Sequence, residues 1–186
     1  MKKRIIPLLL TAIALTICTV IVTTTNMGIP TFNIIGAYCS LIAITILTYK
    51  MPIGIYNFSM FFIFIASALG TVLDLYRSIE IYDKLLHYVS GILMAMIGAY
   101  LMECLYKKCK VENLQKVLLP TILFAMFFSF SCAAFWEVYE FTADQLVHTK
   151  MQGVNLNTMG DIISGILGGL TYGIFVLAKN RKKLLP

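Results

Sequence analysis

Charge is what this sequence has least of. Asp, Glu, Lys and Arg make up only 13% of its 186 residues, against the roughly 25% with which a soluble domain covers its surface. The shortage excludes an ordinary soluble enzyme and a disordered chain. Cysteines are few and show no paired spacing: Cys18, Cys39, Cys104, Cys109 and Cys132 fall mostly within apolar runs. That pattern excludes a zinc knuckle and a secreted disulfide framework and leaves them as small packing residues. The net charge of +6 would suit a nucleic-acid partner in a soluble protein, yet the cations stand in short runs between apolar stretches. They read as topology signals, and no nucleic-acid partner is expected.

What the chain has instead is apolar residues, 59% of the total. A membrane-spanning helix needs about 20 predominantly apolar residues. Six stretches qualify, over 5–25, 31–49, 53–76, 85–106, 117–141 and 161–178. The sequence therefore predicts an all-α, polytopic membrane protein, with residues 1–186 forming one membrane domain. Pro30, Pro52 and Pro120 stand at or near the starts of the second, third and fifth stretches, where a missing backbone N–H is tolerated. The first stretch reads as an uncleaved helix. Its apolar run is too long for a secretory signal, and bulky Ile17 precedes Cys18 where a lipoprotein cleavage site needs a small residue.

Six spans place both termini on one side. Lys2, Lys3, Arg4, Lys50, the 107–116 cluster and the 179–183 cluster share that side, whereas only Arg77, Lys84 and Lys150 fall on the other. By the positive-inside rule both termini are cytoplasmic. The acids divide the opposite way. Glu103 and Glu112 lie at the inner end, and Asp74, Glu80, Asp83, Glu137, Glu140, Asp144 and Asp161 lie at or near the outer end, joined by His87 and His148.

A carboxylate at membrane depth is costly unless it is paired, hydrated or bound to a cation, which makes such residues functional candidates. Glu137, Glu140 and Asp144 stand at i, i+3 and i+7 and share one stripe of the fifth helix. Asp83 and His87 stand one turn apart at the start of the fourth. Asp161 opens the sixth, where an acid also suits the helix dipole. Helix pairs three–four and five–six further show matching segments: Asp74-Leu75-Tyr76 with Glu137-Val138-Tyr139, and Ser90-Gly91-Ile92-Leu93 with Ser164-Gly165-Ile166-Leu167. A parallel repeat of this kind brings Asp74, His87, Glu137 and Asp161 around one axis. Mixed carboxylate and imidazole ligands suit Zn or Mn, and carboxylate and water alone suit Mg. The expected ligands are His87, Glu137, Asp161 and Asp74, with Glu140 and Asp83 as catalytic carboxylates.

Bland readings stand beside these. Asp83 is also a solvated loop charge in this pattern, Asp144 and Asp161 are also dipole-matched helix ends, and Asp74 also pairs with Arg77. A neutral His87 bonded to a backbone carbonyl is the alternative to a ligand. Gly165, Gly169 and Gly173 make a flat stripe for close helix approach, and Trp136, Tyr76, Tyr82, Tyr88 and Tyr139 make an interfacial aromatic belt.

Residues 82–91 (Tyr82-Asp83-Lys84-Leu85-Leu86-His87-Tyr88-Val89-Ser90-Gly91), Trp136-Glu137-Val138-Tyr139-Glu140 and Asn157-Thr158-Met159-Gly160-Asp161 together resemble the YjdF-like family of bacterial inner-membrane proteins, and more distantly the VanZ-like membrane proteins. The resemblance covers about 74–170. It implies a multi-pass protein of the bacterial cytoplasmic membrane and picks out Asp83, His87, Glu137, Glu140 and Asp161 as motif positions. Asn157 departs from it, because an acid is expected before the Thr of the third motif; the missing ligand is then lost or supplied by Asp144.

Three functions follow. The first is a metal-dependent hydrolase or transferase that works on a lipid or lipid-linked headgroup at the outer face, with membrane lipids as partners. The second is a non-enzymatic accessory protein of resistance or immunity type, whose acidic face holds a cationic ligand. The third, a cation transporter, ranks last because the middle and inner halves of the spans carry almost no polar groups.

Overall fold

The computed structural model describes residues 2–111, 117–149 and 151–180, and every regular element among them is a helix. The order is α1 (Lys2–Thr24), α2 (Thr31–Thr48), α3 (Ile53–Ile63) continued by a π-helical segment (Phe64–Val72), the short α4 (Leu75–Ser78), α5 (Tyr82–Lys108), α6 (Leu118–Val147) and α7 (Asn155–Lys179). Among the described residues six helices, counting α3 with its π-helical continuation, are long and apolar enough to cross a membrane. Lipid offers no partner for backbone N–H and C=O groups, and a helix satisfies them within the segment. The protein is an all-helical, polytopic membrane protein.

The chain divides into two compact units, Met1–Leu86 and His87–Pro186. In the first, α1, α2 and α3 pack around Leu15, Leu41, Tyr56, Met60 and Val72. Pro30 and Pro52 occupy the residues just before α2 and α3, with ψ of 135° and 145°, so the chain arrives extended and turns straight into helix. Arg4 is more than a topology signal. Its guanidinium lies over the rings of Tyr56 and Tyr49, 5.0 and 5.6 Å from their centroids, and donates to the Met51 carbonyl at 2.7 Å. The Tyr56 hydroxyl in turn donates to the Arg4 carbonyl at 3.1 Å.

The third span departs from a plain α-helix. From Phe64 it widens into π-helix, and it ends at Asp74, whose φ of 58° and ψ of 32° are left-handed. The small residues Ala66, Ser67, Ala68 and Gly70 permit the widening, and Asp is among the few side chains that tolerate the left-handed turn. The wider ladder leaves the Ile65 carbonyl able to accept from the Tyr82 hydroxyl at 2.8 Å.

The second unit is built from α5 from His87 onward together with α6 and α7. Gly91 and Gly168 let α5 and α7 touch backbone to backbone: a methyl group on Gly91 would collide with the Gly165 carbonyl oxygen, and one on Gly168 with the Tyr88 carbonyl oxygen. The Tyr88 hydroxyl bonds the Thr171 hydroxyl at 3.0 Å further along the same crossing. α5 meets α6 in reverse order, Ser129 against Gly91 and Ala125 against Gly98, as α7 also does, so α5 and α7 run parallel. The stripe of Gly165, Gly169 and Gly173 faces α6, where Ala133, Ser129 and Met126 fill the space in reverse order. Hence α6 and α7 run antiparallel.

Helix ends differ from the hydropathy reading where polar residues continue a helix past its apolar part. α6 extends through Thr142, Asp144 and Gln145 to Val147, and α7 begins at Asn155. Asp161 is accordingly not an opening residue. It lies roughly two turns inside α7 and is 1% exposed. The dipole benefit fades beyond the first turn and does not account for an acidic residue there.

Candidate metal centre

His87 and Glu137 form the buried heart of the site. His87 Nε2 lies 3.5 Å from Glu137 Oε1, with side chains 8% and 4% exposed. α5 brings His87 from one side and α6 brings Glu137 from the other, on the faces turned toward the glycine crossing. On α7, Asp161 stands one turn before Gly165, just as His87 stands one turn before Gly91. Two parallel helices that touch at equivalent glycines place equivalent neighbours side by side. The shared Ser-Gly segments thus explain why imidazole and carboxylate meet.

Asp83 completes the group. It stands one turn before His87 on the same uninterrupted helix α5, half-buried. Asp83, His87 and Asp161 each offer one ligand atom, and these atoms lie within 4.8 Å of one another. Donors about 2.0–2.2 Å from one ion are at most about 4.4 Å apart, so the three need close only slightly. The residues fit a single divalent ion.

The remaining candidates have different surroundings. Glu140 accepts a hydrogen bond from the Trp136 indole N–H at 2.8 Å. Asp74, in the first unit, lies 3.7 Å from Arg77, three residues on. The structure does not give Asp144 the role of substitute ligand: its carboxylate accepts from the Thr149 hydroxyl and from the Met151 and Gln152 backbone N–H groups at 2.9 and 3.0 Å, tying down its own loop. Glu80 and His148 are exposed, and His148 ends α6 in a left-handed conformation.

Two further polar residues support the site. Asn157 donates its amide N–H to Asp161 Oδ2 at 2.6 Å. Ser129, fully buried on α6, donates its hydroxyl to the Gly91 carbonyl at 2.8 Å and pins α6 to the turn of α5 just after His87. A lone serine in an apolar helix resembles a small packing residue, and only the crossing gives it a partner.

These features define a multi-pass membrane protein with an Asp/His/Asp cluster in which His87 and Asp161 are buried and Asp83 half-buried. The family model described as predicted membrane protein (DUF2238) matches residues 5–182, and the chain belongs to that family. It is also similar to an uncharacterized protein of Thermotoga maritima, 27% identical over 121 residues, 63% of this chain and 59% of that protein. The match therefore spans less than two thirds of that relative. No solved structure matches the chain.

Proposed function

We propose that the α5–α7 cluster binds a divalent metal ion at the extracytoplasmic face, and that the protein is a membrane-embedded hydrolase or transferase acting on a lipid or lipid-linked headgroup. The observation that carries this reading is the convergence of Asp83, His87 and Asp161 within 4.8 Å, with His87 against a buried carboxylate. Metal-ligating histidines characteristically give their second ring nitrogen to a carboxylate, which fixes ring orientation and tautomer. Glu137 serves that purpose at Nε2, leaving Nδ1 for the metal. Asp83 and Asp161 supply oxygen ligands, and the mixed set suits Zn or Mn. Asp74 takes no part in this set.

Depth selects the substrate class. Trp136 and Tyr139 flank Glu137 on α6 and are half-exposed, with ring centroids 5.3 Å apart. Such rings mark the headgroup level of a bilayer. His87 lies about 7.5 Å along α5 from its first residue at 1.5 Å per residue, which agrees with that level. A bound metal would lower the pKa of a coordinated water toward about 7. In this reading Glu140, one turn outward from Glu137 on α6, would take up the proton.

The test is elemental analysis of protein purified without chelator, for the wild type beside His87→Ala and Asp161→Ala, followed by a screen of phospholipid and lipid-linked headgroups. Near-stoichiometric metal lost in both variants supports the site, and headgroup turnover supports the enzyme. A wild type that stays metal-free after addition of Zn, Mn and Mg removes the reading. An acidic face for a cationic ligand, without catalysis, is the function then left.

A further inference from the structure

We propose that Asn157 is the residue that limits this site to one metal ion. The inference rests on the metal-site reading above and concerns its nuclearity. Asp83, His87 and Gly91 recur every four residues on α5, and Asn157, Asp161 and Gly165 recur every four on α7. The two glycines meet at the crossing of the parallel helices. Position for position, Asn157 on α7 therefore answers to Asp83 on α5. One ladder carries a ligand at both rungs, whereas the other carries a ligand at Asp161 and a neutral amide one turn outward.

Two consequences limit the site. The amide N–H donates to Asp161 Oδ2 at 2.6 Å, so one oxygen of that carboxylate is engaged by a donor that cannot ligate a cation. The donors of Asp83, His87 and Asp161 also span only 4.8 Å, the reach of one ion. Two ions about 3.5–4 Å apart need ligands spread more widely and a carboxylate able to bridge them. A carboxylate at position 157 supplies both the added charge and the missing outer ligand, and it removes that N–H donor from Asp161 Oδ2. Like charges one turn apart on α7 would themselves favour uptake of a cation.

The experiment is Mn²⁺ titration of the full-length protein in detergent, with stoichiometry from elemental analysis and nuclearity from electron paramagnetic resonance. Wild type is expected to hold one ion with a mononuclear six-line spectrum. Asn157→Asp is expected to hold two with a spin-coupled spectrum, and Asn157→Ala to stay at one. The exchange variant Asp83→Asn/Asn157→Asp, which moves the amide to the equivalent rung, is expected to return to one ion and provides a readout should Asn157→Asp fail to fold. One ion in Asn157→Asp, or two in Asn157→Ala or in the exchange variant, overturns the inference while leaving the metal site standing. No ion in the wild type overturns both.

Discussion

Gly91 on α5 and Gly165 on α7 meet without side chains between them, and each follows a site residue by one turn, His87 on one helix and Asp161 on the other. The spacing of the Asp/His/Asp cluster is therefore set by backbone contact rather than by the cluster itself. Lipid gives no hydrophobic drive for helices to associate, so close packing of small residues carries the association.

Widening this crossing is expected to disperse the cluster. Gly168→Val places a branched side chain against the Tyr88 carbonyl, where overpacking costs about 1–3 kcal/mol. The expected outcome is a lower unfolding temperature in detergent together with lost metal stoichiometry. Gly36→Ala on α2, where a methyl group meets nothing within 4 Å, is the control and leaves both unchanged. Retained metal in a destabilised Gly168→Val protein would show that the crossing does not set the ligand spacing.

Glu137 is expected to act through His87. Removing the outer partner of a ligating histidine typically weakens metal affinity about 10–100-fold. Glu137→Gln keeps the shape and a hydrogen-bonding group but loses the charge, and a fall in Zn²⁺ affinity of that size, with stoichiometry still near one at saturating metal, is the expected result. Complete loss of the ion at saturation in Glu137→Gln would instead make Glu137 a direct ligand.

Six spans and their order were legible because hydropathy is additive along the chain. Geometry across helices was not. Asp161 read as a helix opening because the apolar run starts there, yet Asn155, Asn157 and Thr158 continue the helix outward and leave it buried. Likewise Asp74 matched Glu137 in sequence, but one ends a π-helical segment in a left-handed turn and the other sits inside a long regular helix. The Ser-Gly match, by contrast, identified the segments that touch. Close approach demands small residues in both partners at once, so that signal was written twice.

Asp144 should prove to be a loop anchor with no part in metal binding. Its carboxylate holds Thr149, Met151 and Gln152. Asp144→Ala is expected to speed amide hydrogen exchange at Met151 and Gln152 several-fold while leaving metal stoichiometry and affinity as in the wild type. Unchanged exchange at those two amides would argue against the anchor, and lost metal would return Asp144 to the ligand set.

Arg4 separates membrane orientation from stability. Orientation depends on the sum of cytoplasmic cations, and Lys2 and Lys3 remain when Arg4 is replaced. Stability depends on the guanidinium itself, a planar group that lies over Tyr49 and Tyr56 and donates to Met51. Lysine keeps the charge but presents neither the plane nor the fork. Arg4→Lys is therefore expected to leave the orientation of both termini as in the wild type in a cysteine-accessibility assay on a variant whose native cysteines have been replaced. The same substitution is expected to lower unfolding stability by about 0.5–2 kcal/mol, the range for a cation over aromatic rings from exposed to desolvated sites. Tyr56→Phe removes the hydroxyl bond to the Arg4 carbonyl and keeps the ring, so it should cost about 0.5–1.5 kcal/mol, the net worth of one hydrogen bond. If Arg4→Lys and Tyr56→Phe both melt with the wild type, the clasp contributes nothing measurable and Arg4 is a topology signal alone.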